Sequence, residues 1–138
     1  MAELIVAADL VKRGFRVAFP FGEDCDWDLL FWRPPCQELE RVQVKYAESD
    51  GCVVCVRTRS HSLTNGRIRA IKRYTAKMIE WLAVFDATTD AVFYIPAVEL
   101  GEGMDLLHLR LVPPRNNQQA RIRKADDYRV PTISPTGP

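Results

Sequence analysis

The chain has 138 residues, of which 47% are apolar and 27% charged, with nineteen Lys and Arg against eighteen Asp and Glu. That length and composition describe one globular domain and exclude a disordered chain, and a net charge of +1 excludes a uniformly basic nucleic-acid coat. The longest apolar stretches, such as residues 4–8, fall far short of the roughly 20 residues a membrane helix requires, and Glu3 and Asp9 interrupt any secretory signal, so a cytoplasmic chain is expected.

In chain order, residues 2–13 read as an amphipathic helix with Leu4, Ala7, Ala8 and Val11 on its inner face and Gly14 as its C-cap. Residues 15–19 suit a strand ended by Pro20, and residues 21–25 a turn. Residues 27–32 form an apolar run broken by Asp28, expected as a strand covered on both faces. Residues 40–47 alternate, placing Val42, Val44 and Tyr46 on one side and Arg41, Gln43 and Lys45 on the other. Asp50-Gly51 then predicts a hairpin whose second strand is 52–57.

Residues 58–66 read as a polar loop, 75–80 as a short helix, 81–85 and 91–95 as strands joined by a turn, 96–100 as one helical turn and 105–111 as a last strand. The predicted domain spans 1–129, and 130–138 is expected to be a disordered tail.

Four cysteines, Cys25, Cys36, Cys52 and Cys55, raise both disulfide and zinc readings. The Cys52/Cys55 pair lies in a β-branched run, where residues three apart point to opposite faces instead of converging as zinc ligands must. Buried or half-buried free thiols are expected.

Gln43 and Lys45 are two apart on one strand, so both serve the same side of a sheet. Asp28 is a charge in an otherwise apolar run, which requires a partner or a metal. Glu3, near the start of the first helix, supplies a second acid. A helix, a strand meander carrying an acid, and then an acid or glutamine two residues before a lysine together resemble the PD-(D/E)XK nuclease superfamily. The segments GFRVAFPFGEDCDWDLLFW, RVQVKYA and YTAKMIEWLAVFDATTDAVFYIP are similar to its branch of group I intron homing endonucleases, over about residues 3–128.

This resemblance implies an α/β, restriction-endonuclease-like core with a mixed central sheet flanked by helices. It implies a DNA endonuclease with Glu3, Asp28, Gln43 and Lys45 in catalytic roles. Gln43 departs from the carboxylate common in the superfamily, although glutamine occurs here in the homing branch, and the metal affinity is the property this change touches. Phosphodiester hydrolysis suits Mg²⁺, with Mn²⁺ as substitute, held by Asp28, the Gln43 oxygen, the Val44 carbonyl and, through water, Glu3. Lys45 would position or deprotonate the attacking water.

Arg57, Arg59, Arg67, Arg69, Lys72, Arg73 and Lys77 follow one another with no intervening acid, a pattern suited to a DNA backbone, with Tyr74 available for packing or stacking. Arg121, Arg123 and Lys124 form a smaller group that could reach DNA or a neighbouring subunit. Because one centre addresses one phosphate, a homodimer or homotetramer is expected. The rival readings are a nuclease similar to Holliday-junction resolvases and a non-catalytic DNA-binding or assembly module that keeps the fold.

Overall fold

The computed structural model describes residues 1–22, 25–34, 38–64, 67–113 and 122–131, with only the backbone described from 60 to 72. Helix α1 (Ala2–Lys12) is followed by strands β1 (Arg16–Ala18), β2 (Leu29–Trp32), β3 (Glu40–Ala47), β4 (Val53–Arg57), β5 (Arg59–Thr64), β6 (Arg67–Arg73), β7 (Trp81–Asp86), β8 (Ala91–Pro96) and β9 (Leu106–Arg110). The main sheet has the order β1-β2-β3-β7-β8, all antiparallel except the central β3–β7 pair, which is parallel. This is the mixed α/β core expected from the sequence.

α1 covers one face of the sheet. It ends where Gly14 adopts φ +93°, a conformation that costs glycine little, and the N–H of Phe15 returns to the carbonyl of Leu10 at 3.0 Å. Val6 and Leu10 are buried against Phe15, Phe31, Val42, Val44 and Tyr94. The predicted inner face is corrected: Leu4 and Val11 are 61% and 58% exposed. α1 carries apolar residues on more than one side, so spacing alone does not select a stripe. The contacts of Val6 and Leu10, together with a 2.6 Å hydrogen bond from the Tyr94 hydroxyl to Asp9, select the other one.

A two-stranded ribbon covers the opposite face. β4 pairs antiparallel with β9, and Val54, Val56, Leu107 and Leu109 pack on Leu82, Val84, Phe93 and Ile95. The predicted Asp50-Gly51 hairpin is therefore corrected: the turn is real, its Asp50 carboxylate accepting the N–H groups of Cys52 and Val53, but the chain leaves the main sheet there and β4 finds its partner after β8. Covered by α1 and the ribbon, β7 is buried at every position, whereas β2 alternates buried and half-buried residues and so is not enclosed on both faces as expected.

Two further expectations change. The polar loop expected at 58–66 begins a β5–β6 hairpin with a register shift between Ser62 and Leu63. The short helix expected over 75–80 is a turn in which the N–H groups of Met78 and Ile79 both reach the carbonyl of Thr75. One turn of 3₁₀ helix, Ala97–Leu100, stands where a helical turn is predicted.

Cys25, Cys52 and Cys55 are free and exposed rather than buried, while Cys36 lies outside the described residues, as does 132–138 of the expected tail. Among the described residues, no helix is long and apolar enough to cross a membrane.

Candidate active site

The β2–β3 ladder runs from the pairing of Phe31 with Glu40 to that of Leu29 with Val42. Just beyond its end, the Asp28 N–H donates to the Val42 carbonyl at 2.7 Å, and the Asp28 carboxylate accepts the Val44 N–H at 2.8 Å. Val42 and Val44 present their main-chain groups to the same edge of β3, and the carboxylate replaces the strand carbonyl that would otherwise satisfy Val44.

Gln43 and Lys45 flank Val44 and project together from the face opposite α1, both partly buried. β7 supports them from the other edge, with Gln43 opposite Leu82 and Lys45 opposite Val84. The Gln43 amide nitrogen leans toward the Val44 carbonyl at 3.4 Å.

Burial pushes the Asp28 carboxyl above its ordinary value; the Val44 N–H opposes that rise, Glu3 adds to it and Lys45 opposes it. Burial likewise holds the Lys45 ammonium below its ordinary value, with Asp28 partly restoring it. Glu3 moves the other way, lowered chiefly by its backbone N–H, and its carboxylate lies 3.3 Å from the Met1 amine. Glu3, Asp28 and Lys45 thus share one electrostatic neighbourhood.

Glu3 and Asp28 line a cleft of about 350 Å³ together with Phe19, Pro20, Gly22, Cys25 and Trp27. Gln43 and Lys45 are not part of its lining. Among the described residues, no three His, Cys, Asp or Glu side chains cluster as a metal cage, so a cation here would depend on amide and main-chain oxygens as well as carboxylates.

A family model described as PD-(D/E)XK endonuclease matches residues 1–131. The chain belongs to the PD-(D/E)XK endonuclease family. Among solved structures, it is similar to the bacterial homing endonuclease I-Ssp6803I, with a TM-score of 0.70 and 20% identity over 93% of this chain and 83% of that one. At that identity the likeness shows the fold. No curated protein matches the chain.

In this PD-(D/E)XK chain the basic run divides. Arg57, ending β4, and Lys77, in the turn before β7, are exposed. Arg73 binds Asp105 at 2.7 Å, and Arg59 lies 3.9 Å from the same carboxylate, so both carry structural ties. Arg67, Arg69 and Lys72 belong to β6, but their side chains lie outside the described residues. In the smaller group, Arg123 is paired with Glu99 at 3.1 Å and Arg121 lies outside the described residues.

Two features escape sequence reading. Tyr74, expected to serve packing or stacking, packs in the core at 5% exposure, and the unforeseen part is the Lys45 ammonium 5.3 Å from its ring centre. Arg41, on the same strand face as Gln43 and Lys45, is clamped by Glu80, whose carboxylate also takes the Arg41 main-chain N–H at 2.7 Å. An Arg followed far along the chain by a Glu carries no spacing signal, so neither contact could be located from local pattern.

Proposed function

We propose that the protein is a Mg²⁺-dependent DNA endonuclease that hydrolyses phosphodiester bonds, acting as a homodimer or homotetramer in the cytoplasm. The observation supporting this most directly is the link from the half-buried Asp28 carboxylate through the Val44 N–H to the strand carrying Lys45, beside an open cleft.

The donor chemistry fits a hard cation. One Asp28 oxygen accepts from Val44, leaving the other for a ligand; Gln43 and the Val44 carbonyl add neutral oxygens, and Glu3 faces the same cleft. When bound, Mg²⁺ would supply charge stabilisation for the phosphate oxygens and the leaving oxygen. Asp28 fixes the edge of β3 and contributes negative charge. Lys45 holds or deprotonates the attacking water and offsets phosphate charge, and burial eases the loss of its proton. Phe19 and Trp27 give the cleft an apolar wall that limits solvent around the reacting phosphate. Arg57 and Lys77, with Arg67, Arg69 and Lys72 of β6, are proposed to follow the DNA backbone, while Arg59 and Arg73 brace the hairpin.

The test is cleavage of supercoiled and branched DNA with Mg²⁺ or Mn²⁺ by wild type and Lys45→Ala. Loss of a general base or water-orienting group lowers the rate by roughly 10²–10⁴-fold. Equal background nicking by both proteins rejects catalysis.

Gln43 and the absence of a three-acid cluster among the described residues favour one second reading, a DNA-binding module without catalysis. Calorimetry separates the two, because the nuclease takes up Mg²⁺ saturably and Asp28→Asn weakens that uptake, whereas the module binds DNA without it. A preference for four-way junctions over linear duplex would place the activity with junction-resolving nucleases.

A further inference from the structure

We infer that Tyr74 is a positioning residue for Lys45, its ring forming the platform that holds the ammonium on the Asp28 side of β3. The inference rests on the nuclease reading for its catalytic consequence, while the contact itself is measurable without cleavage.

Lys45 is partly buried and has therefore given up part of its hydration. Among the described residues, no oxygen lies within hydrogen-bonding distance of its ammonium, and the Tyr74 ring, 5.3 Å away, presents the negative face of a π system in place of water. A lysine side chain has several rotatable bonds and a compact charge that solvent readily attracts. A group that must orient one water against one phosphate has to be held within about half an ångström of its working position. The ring supplies that restraint without neutralising the charge, as a carboxylate at the same place would.

The platform is itself anchored at both ends. On the preceding side, Arg73 is tied to Asp105, and Gly103 leaves room for it, since a Cβ at that glycine would meet the Arg73 Cβ at 2.8 Å. On the following side, the Thr75 carbonyl gathers the N–H groups of Met78 and Ile79, and Glu80 grips Arg41 on the strand that carries Lys45. Tyr74 is thus flanked by contacts on both sides, one of which ties the following turn to β3. Its hydroxyl makes no hydrogen bond among the described residues, which leaves the ring as the functional part.

Simple core filling makes a different prediction, because Tyr74 also belongs to the cluster with Ile79, Leu82 and Val84. Tyr74→Phe keeps the ring, whereas Tyr74→Leu and Tyr74→Met keep apolar packing and remove the π face. At saturating DNA with Mg²⁺, Tyr74→Phe should cleave within about twofold of wild type. Tyr74→Leu should lose about fivefold to thirtyfold in single-turnover rate with DNA affinity unchanged. A double-mutant cycle on urea unfolding, pairing Tyr74→Leu with Lys45→Met, should show non-additive effects. If Leu does not fold, Met carries both measurements.

A wild-type rate in the Leu or Met variant, or equal losses in Phe and Leu, overturns the positioning role. If wild type and Lys45→Ala nick DNA equally, the nuclease reading fails, and the unfolding cycle alone decides the contact: additive effects overturn it, and coupling upholds it.

Discussion

Asp28 and Val44 are joined by a 2.8 Å hydrogen bond from a main-chain N–H to a carboxylate, made just past the end of the β2–β3 ladder. The bond does structural work, closing the strand edge, while burial makes the carboxylate's charge unfavourable. The two effects can be separated because asparagine keeps the accepting oxygen and removes the charge.

Asp28→Asn should therefore raise the melting temperature at pH 7, by on the order of 2 °C. Asp28→Ala should lower stability by about 1–2 kcal/mol, since it leaves the Val44 N–H without its acceptor. The native state holds the Asp28 proton to a higher pH than the unfolded chain does, so the wild type loses stability as pH rises from the unfolded value through the raised native one. The advantage of the asparagine variant should consequently disappear below about pH 4, the unfolded carboxyl value. Melting curves from pH 3 to 8 test this, and a constant difference across that range would contradict it.

Lys45 has the opposite sign. Its proton is released at a lower pH in the native state than in the unfolded one, so this residue makes the wild type gain stability as pH rises toward the ordinary lysine value of about 10.4. Lys45→Met should be more stable than wild type near neutrality, with the gap narrowing as pH rises toward the unfolded lysine value of about 10.4. Denaturant titrations at pH 7 and 9.5 supply the comparison.

Asp86, fully buried at the end of β7, is a carboxylate of a different kind. Burial would raise it, but hydrogen bonds from the Thr89 and Ser49 hydroxyls and N–H groups outweigh that effect and hold it below the ordinary value. Asp86→Ala should cost about 3 kcal/mol by orphaning those donors. Its stabilising contribution is complete above the unfolded value near pH 4 and is lost as acid titrates it through the lower native value. Acid unfolding should therefore become shallower in the alanine variant.

The division of the basic run predicts unequal salt effects on DNA binding. Removing Arg57 or Lys77, both exposed, should each reduce the slope of log affinity against log salt by about 0.9 for duplex DNA. Arg73→Ala should chiefly lower the melting temperature, because its partner is Asp105. Binding isotherms at several salt concentrations distinguish these outcomes; an unchanged slope for Arg57 and Lys77 would remove them from the contact surface.

The parts of the fold legible in the sequence are those set by local chemistry. Alternation in residues 40–47 locates β3 and puts Gln43 and Lys45 on one side, and Gly14 marks the end of α1. What escapes depends on distant partners. The Asp50-Gly51 turn is visible, but nothing near it says that β4 pairs with β9. The charges of residues 57–77 draw attention away from the Arg67-Ile68-Arg69-Ala70 alternation that builds β6. Asp28 is conspicuous as a charge in an apolar run, whereas its Val44 partner and the Tyr74 ring under Lys45 require the assembled sheet.

The parallel neighbour of β3 is made late. The chain builds β4, β5 and β6 before it returns as β7, and Arg41 waits for a clamp 39 residues downstream. A nascent polypeptide that has already emerged through Lys45 carries every proposed catalytic side chain yet has neither β7 nor Tyr74 to hold them. A chain cut short before the return strand would thus carry those side chains on a β3 with no parallel partner and no clamp on Arg41.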